Sequence, residues 1–137
     1  MTHTTRLAAT AVLAWAIAAL SAACGGSSPS TGPSTGGTCI AGPTSTTITI
    51  SNNAVCPQNI TVPRGTQVTF VNSDSRNHTM NSDPHPEHTD CPEINQVGFL
   101  TAGQSRQTGN LNIARRCGFH DHEDFNNAAL KGSITIQ

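Results

Sequence analysis

The sequence lacks features that would indicate a hydrolase, a nucleotide-binding protein, a zinc protease or a nucleic-acid-binding protein. It has no Tyr, and its seven Lys and Arg nearly balance its eight Asp and Glu. Charge this balanced provides no basic face, so no nucleic-acid partner is predicted. The sequence also has no Gly-x-Ser-x-Gly motif, no phosphate-binding glycine loop and no His-Glu-x-x-His motif. Hydrolase, nucleotide-binding and zinc-protease functions therefore find no support in it.

The first part of the chain is predicted to be a targeting signal. Residues 1–23 combine a short basic start with an apolar run that ends in small residues before Cys24. This pattern resembles the signal of a bacterial lipoprotein, in which Cys24 would carry the lipid. We therefore expect a protein of the bacterial cell envelope, held at the membrane by its lipid, with its domain on the periplasmic or extracellular side. Ordinary signal-peptidase cleavage near Ala23 is the alternative.

A flexible linker and one domain are predicted to follow. Beyond Cys24, residues up to 37 are only Gly, Ser, Pro and Thr, a composition that cannot bury a core. Residues 38–137 suffice for one small core, so a single, monomeric domain is expected. The one Trp, Trp15, lies in the signal segment, and four Phe are the only aromatic residues left. A small exported domain with so few aromatics is expected to need disulfides or a metal.

Alternating apolar residues predict that the domain is built from strands. The pattern occurs at 46–51, 59–62, 66–72 and 132–137, with tight-turn residues at 63–65 and 102–104. No stretch of ten residues shows helical periodicity, so an antiparallel β-sandwich or barrel is expected. Residues 81–96 are too long and too rich in Pro and Asp for a hairpin turn. Their two histidines and one cysteine favour an ordered loop with a function.

Histidines in two short segments predict a metal site. They are His78, His85, His88, His120 and His122, and imidazole is the commonest metal ligand in proteins. If His120 and His122 lie on a strand, they point to the same face and can bind one ion. His78 and Met80 are also two residues apart, and a thioether favours copper. The sequence leaves His85 and His88 as ligands, neighbours of ligands or neither, because their positions depend on the loop.

The cysteines leave two alternatives open. With Cys24 assigned to the lipid, four remain, an even number in an oxidising compartment. Two disulfides could join Cys39 to Cys56 and Cys91 to Cys117, although three pairings are compatible with the sequence. Alternatively, Cys117 is a thiolate ligand of the metal, which would leave one cysteine unpaired.

Two stretches resemble the cupredoxins, which are small Greek-key β-sandwiches that bind copper. The string ITVPRGTQVTFVNSDSRNHT, residues 60–79, is similar to the strand, turn and strand that lead to the first ligand histidine of that family, here His78. The stretch from Cys117 to the end is similar to the loop that carries the family's cysteine, histidine and axial ligands. The resemblance implies a cupredoxin-like sandwich of seven to eight strands and one copper ion. Its ligands would be His78, Cys117, and His120 or His122.

Two departures from the family pattern affect the site. Leu130 occupies the position where the family commonly has an axial methionine. In addition, Cys117 lies where an inward-facing strand residue could pair with Cys91. The inserted PHPEH segment and the HDH doublet would then build a histidine-rich site instead of a thiolate site.

Three functions are compatible with these patterns. The first is an envelope copper protein that transfers electrons to a redox partner protein or handles copper. The second is a metal-dependent redox enzyme acting on superoxide or oxygen, with Asp121 or Glu123 as the acid or base. The third is a β-sandwich binding module without metal. The sequence favours the first, in which His85 and His88 or Cys117 complete the ligand set.

Overall fold

The structure is a computed structural model that describes residues 39–137, which form nine strands in two sheets. The strands are β1 (Thr47–Ser51), β2 (Ala54–Cys56), β3 (Asn59–Val62), β4 (Thr69–Asn72), β5 (His78–Ser82), β6 (Gly98–Leu100), β7 (Ser105–Gln107), β8 (Arg116–Asp121) and β9 (Lys131–Ile136). Two short 3-10 turns lie at Ile94–Gln96 and Ala128–Leu130. Within residues 39–137, no helix is long and apolar enough to span a bilayer. The predicted signal segment 1–23, the lipidation site Cys24 and the linker to residue 37 lie outside the described residues.

The two sheets have mixed strand directions. One sheet has the order β2-β1-β4-β7, and the other has the order β3-β9-β8-β5-β6. The pairs β1–β4 and β3–β9 are parallel, and the remaining pairs are antiparallel. The all-antiparallel arrangement expected from the sequence was therefore wrong in these two pairs. Neither parallel pair is joined by a hairpin, so no tight turn forces its strands to be antiparallel.

Alternating burial along the strands forms the core between the sheets. In β5, every second residue from His78 to Ser82 is buried, as the two-residue period of a strand requires. Phe70 of the first sheet and Phe119 of the second make an edge-to-face contact with ring centroids 5.2 Å apart. This contact joins the sheets at the centre of the sandwich, and the predicted all-β sandwich is confirmed.

The strand count and one strand boundary differ from the predictions. Nine strands form instead of the seven to eight that the resemblance implied, and β2, β6 and β7 have only three residues each. The strand predicted at 66–72 is observed at Thr69–Asn72, and a loop separates it from β5, which begins at His78. The Asn72 side chain donates to the carbonyl of Arg76 at 2.8 Å and stabilises the intervening loop. Met80 therefore lies on the separate strand β5.

Both disulfides expected from the even cysteine count are present. Cys39 is bonded to Cys56, and Cys91 is bonded to Cys117. The alternative in which Cys117 is a thiolate ligand is wrong in this structure, because a sulfur atom in a disulfide carries no negative charge to offer a metal ion. The second disulfide joins the segment between β5 and β6 to β8.

Candidate metal centre

The two faces of β8 carry different groups of residues. Cys117, Phe119 and Asp121 point into the sandwich and are completely buried. Gly118 and His120 point to the outer face, as the alternation of a strand requires. His122 directly follows the strand, and its N–H donates to the carbonyl of Thr79 on β5 at 2.7 Å. The sequence predicted that His120 and His122 share a face if both lie on a strand; His122 lies just past the end of the strand, and both imidazoles belong to one group of converging rings.

The segment between β5 and β6 covers this outer face. His120 is only 1% exposed although it lies on the outer side of the sheet. The Asn95 side chain anchors the covering segment, because its amide donates to the carbonyl of His88 and its oxygen accepts from the N–H of Ser82. The disulfide at Cys91 fixes the same segment to the core. Loop histidines are thereby held against strand histidines.

Four imidazoles meet under this loop and form what we call the histidine cluster: His85, His88, His120 and His122. One ring nitrogen from each lies within 4.8 Å of those of the other three. Nitrogens bound about 2.0 Å from a tetrahedral ion are about 3.3 Å apart. The cluster is thus slightly wider than a metal site, and an ion would draw its rings together.

His120 is oriented by a carboxylate. Its Nδ1 is 2.6 Å from Oδ1 of Asp83, which fixes the proton on Nδ1 and leaves Nε2 with a free lone pair. That Nε2 atom is buried and has no hydrogen-bond partner among residues 39–137. Buried polar atoms are rarely left unpaired. Nε2 of His120 is thus an acceptor atom that is held in place and lacks a donor, which is what is expected of an atom that binds a metal ion.

His88 and His122 approach each other directly. Nε2 of His88 is 3.2 Å from Nδ1 of His122, close to the separation expected for two ligands of one ion. The backbone of His88 has φ of 54°, a left-handed conformation that non-glycine residues rarely adopt. Such conformations cluster at functional sites, where the surrounding structure holds them.

His85 provides the fourth imidazole. Its Nδ1 is buried and lacks a hydrogen-bond partner within the described part of the chain. Its ring lies flat on the ring of Phe125, with the centroids 3.9 Å apart and the planes at 5°. The cluster therefore contains two buried nitrogens, on His85 and His120, that hydrogen bonding leaves free.

The surroundings keep the loop histidines neutral. Burial lowers the pKa of His85, and the nearby His122 and His120 lower it further against an opposing effect of Glu87. Burial also lowers the pKa of His88, with additional contributions from the other three cluster histidines. A lower pKa favours the neutral imidazole at both loop histidines, and a neutral imidazole has the lone pair that a metal requires.

Gly118 makes room for Asp83, the carboxylate that orients His120. A Cβ atom at Gly118 would overlap the carboxylate of Asp83. The side chain of Asp83 is 43% exposed. Glycine is thus required on the outer face of β8, where the carboxylate must approach the backbone.

Replacing Asp83 with alanine should weaken metal binding about 10- to 100-fold, the usual effect of removing a carboxylate that orients a ligand histidine. The measurement is the dissociation constant for Cu(II), obtained by competition with a chelator of known affinity. Asp90→Ala is the matched control, because Asp90 is an exposed carboxylate of the same loop. Equal affinities in the two variants would contradict the orienting role of Asp83.

Comparison with solved structures identifies the architecture. No protein-family model and no curated protein matches this chain. A purple cupredoxin from Nitrosopumilus maritimus superposes with a TM-score of 0.51 and 19% identity, over 66% of this chain and 98% of the other. A mutant fern plastocyanin gives a TM-score of 0.53 and 18% identity, over 66% and 99% of the two chains. The domain has a cupredoxin-like fold. A mutant amicyanin in its reduced state, with a TM-score of 0.53, 12% identity and coverage of 72% and 87%, agrees with it.

His78 does not join the cluster of this cupredoxin-like domain. It is fully buried on the inner face of β5, and both ring nitrogens face carboxylates. Nδ1 is 2.6 Å from Asp121 and Nε2 is 3.1 Å from Asp74. The structure therefore contradicts the sequence prediction that His78 is a metal ligand, because neither nitrogen has a free lone pair directed at the other histidines.

The carboxylates around His78 have several donors each. Burial alone would raise the pKa of Asp74, but the backbone N–H of Asn53, the ring of His78 and the backbone of Asn52 together hold it below its usual value. Asp121 also accepts from the backbone N–H groups of Thr79 and Glu123. This network links β5, β8 and the loop before β5 inside the cupredoxin-like domain.

The predicted soft or axial ligands are core residues. Met80 and Leu130 are both completely buried among the apolar side chains of the sandwich. Met80 lies opposite Asp121 on the inner face, whereas the histidine cluster lies on the outer face of the same sheet. The structure therefore separates these side chains from the cluster, and the predicted ligand role of Met80 is wrong because of the face it occupies.

Several residues that shape the site of this cupredoxin-like domain were not predicted. Asp83, Asn95, Gly118 and Phe125 hold the cluster through contacts between residues distant in the chain. The only sequence signal was local, since Asp83 is two residues before His85 in the loop already suspected of a function. Nothing in the alternation pattern indicated that Phe125 stacks on a histidine.

Proposed function

We propose that this domain binds one copper ion through His85, His88, His120 and His122, and that the protein handles copper at the bacterial cell envelope. The observation that carries the proposal is the pair of buried, unpartnered nitrogens on His85 and His120, which belong to a group of four converging imidazoles. A hydrogen-bonded histidine network would have paired these atoms. A metal ion satisfies all four nitrogens at once.

The donor set favours copper. Imidazole binds copper, zinc, iron and nickel, and among divalent metals copper has the highest affinity for a given nitrogen site. The cupredoxin-like fold adds support, because one of the similar solved structures is described as a purple cupredoxin and another as a plastocyanin. When bound, copper would supply a one-electron redox couple at this site.

The same donor set favours Cu(II) over Cu(I). Soft thiolate and thioether ligands select Cu(I), but the sulfur atoms of Cys117 and Met80 lie in the core on the other face of the sheet. Four neutral imidazoles, with the charge of Asp83 behind one of them, suit the harder cupric ion. We therefore favour binding and delivery of copper over electron transfer through a thiolate-bound copper.

Catalysis by nearby carboxylates finds less support. Asp121 is fully buried and accepts hydrogen bonds from His78, Thr79 and Glu123, so it has no free face toward the cluster. Glu123 is exposed and accepts from the hydroxyl of Thr79 at 3.3 Å. The hydrogen bonds of Asp121 and Glu123 therefore indicate a structural role and not the role of an acid or base in an enzyme.

Adding Cu(II) to the purified protein should give saturation at one ion per chain with only weak visible absorption. An intense charge-transfer band requires a thiolate on copper, and Cys117 is in a disulfide. The measurement is an absorption spectrum at each step of the titration, with copper content determined separately. The Cu(II)-loaded protein with an added free thiol is the control for colour that arises from an adventitious thiolate. An intensely blue or green product would overturn the proposed ligand set.

The envelope location rests on the predicted lipoprotein signal. Residues 1–24 have the order of basic start, apolar run and small residues before cysteine that lipidation requires. A domain tethered there would meet copper before it enters the cell. Mass spectrometry of the N-terminal peptide from membrane fractions tests whether Cys24 carries a lipid. A water-soluble protein that begins after Ala23 would contradict this part of the proposal.

A further inference from the structure

We propose that Phe125 is a positioning residue of the histidine cluster: its ring holds the imidazole of His85 in the orientation that binds metal and thereby sets how long the metal stays bound. This inference rests on the proposed function. It concerns a residue with no donor atom, so it adds a determinant of the site rather than a fifth ligand.

His85 depends on Phe125 more than the other histidines depend on their neighbours. His120 is held by Asp83, and His88 and His122 contact each other. Nδ1 of His85 has no hydrogen-bond partner within residues 39–137. The ring of His85 meets the other three imidazoles at an angle, whereas its stack on Phe125, with centroids 3.9 Å apart, is its nearest and flattest ring contact.

The stacking geometry leaves the ligand atoms free. The lone pair of an imidazole nitrogen lies in the plane of the ring, whereas Phe125 covers the face, with the planes at 5°. A face contact therefore orients His85 and shields it from water without competing for a nitrogen. A hydrogen-bonding partner at this position would instead occupy one of the two nitrogens.

The turn that carries Phe125 is itself held in place. The N–H of Asn127 donates to the carbonyl of Asp124 at 2.9 Å, and the Asn127 side chain donates to the Asp124 carboxylate at 3.1 Å. Asn127 also accepts from the N–H of Ala129. Phe125 thus stands on a fixed turn that follows β8, while His85 comes from the covering loop. The stack connects these two segments across the cluster.

Phe125 can be replaced without disturbing the packing of the apolar core. Its side chain is 37% exposed, and it lies outside the group of buried apolar residues between the sheets.

The test compares Cu(II) affinity and the rate of copper release to a chelator in the full-length protein and its variants. Phe125→Ala should weaken binding and speed release about threefold to tenfold, the range that one stacked aromatic pair contributes. Phe125→Leu should behave like the alanine variant because it lacks a planar face. Phe125→Trp should restore slow release. Phe99→Ala is the matched control, since Phe99 is an exposed aromatic on β6.

A double-mutant cycle shows whether Phe125 acts through His85. In the His85→Ala background, removing Phe125 should have no further effect on release, because no imidazole remains to be oriented. An equal effect in both backgrounds would overturn the inference, as would a release rate in Phe125→Ala or Phe125→Leu equal to that of the unaltered protein. Failure of the unaltered protein to bind copper would instead overturn the proposed function and this inference together.

Discussion

Replacing His120 with alanine should abolish tight copper binding while the domain stays folded. His120 is the cluster member most firmly prepared for a ligand role, because Asp83 fixes its Nδ1 and its Nε2 is buried and free of hydrogen bonds within the described residues. The loss of His120 should weaken copper binding by more than the roughly 10- to 100-fold expected when a residue that only orients a ligand histidine is removed. Isothermal titration of the metal-free protein with Cu(II) measures the change.

Asn81→Ala is the control for His120→Ala. Asn81 lies opposite His120 on β5, so it shares the local backbone but offers no metal ligand. Its replacement should leave copper affinity within a few-fold of the original value. Stoichiometric tight binding in the His120→Ala variant would show that the copper ion sits elsewhere.

Replacing His78 with alanine should destabilise the domain by about 1 to 3 kcal/mol, because a buried carboxylate loses a hydrogen-bond partner. The side chains of His78 and Asp121 are both completely buried, so the lost contact lies inside the core. Urea unfolding of the metal-free protein measures the free energy. Copper affinity of the folded fraction should change little, since His78 is not part of the cluster.

A second variant separates the unpaired charge from the lost packing. In His78→Ala combined with Asp121→Asn, the amide oxygen still accepts from the backbone N–H groups of Thr79 and Glu123, but no buried charge remains. The double variant should therefore be more stable than His78→Ala alone. If His78→Ala unfolds at the same urea concentration as the original protein but no longer binds copper, His78 is a ligand after all.

The sequence contained most of the information on the fold and part of that on the site. Alternation located β1, β3, β4 and β9, and cysteine parity favoured the disulfide of Cys117. The spacing of two between His120 and His122 predicted that they could bind one ion together, and both belong to the histidine cluster. These predictions succeeded because they depend on local periodicity or on counting.

The incorrect ligand assignments required knowledge of which residues face each other. The period of two correctly put His78 and Met80 on one face, but it does not show which strand lies beside β5, where Asp121 is the cross-strand partner of Met80. One signal was available: if Cys117 points inward on a strand, then Asp121, four residues later, also points inward. A buried carboxylate needs a buried partner, and His78 is that partner.

The positions of His85 and His88 could not be predicted, because loop conformation depends on tertiary contacts. Asn95 and the disulfide at Cys91 fold the loop over β8, and each acts from several residues away in the chain. The left-handed backbone of His88 has no sequence signature of its own. The cluster is therefore a product of the fold and not of a motif.

The division of β8 into an inner and an outer face has an evolutionary consequence. Cys117, Phe119 and Asp121 maintain the sandwich, whereas Gly118 and His120 serve the cluster. Substitutions on the outer face can change or erase the metal site while the residues that stabilise the domain stay the same. Descendants of this chain could thus exchange one metal specificity for another, or lose metal altogether, without passing through an unfolded ancestor.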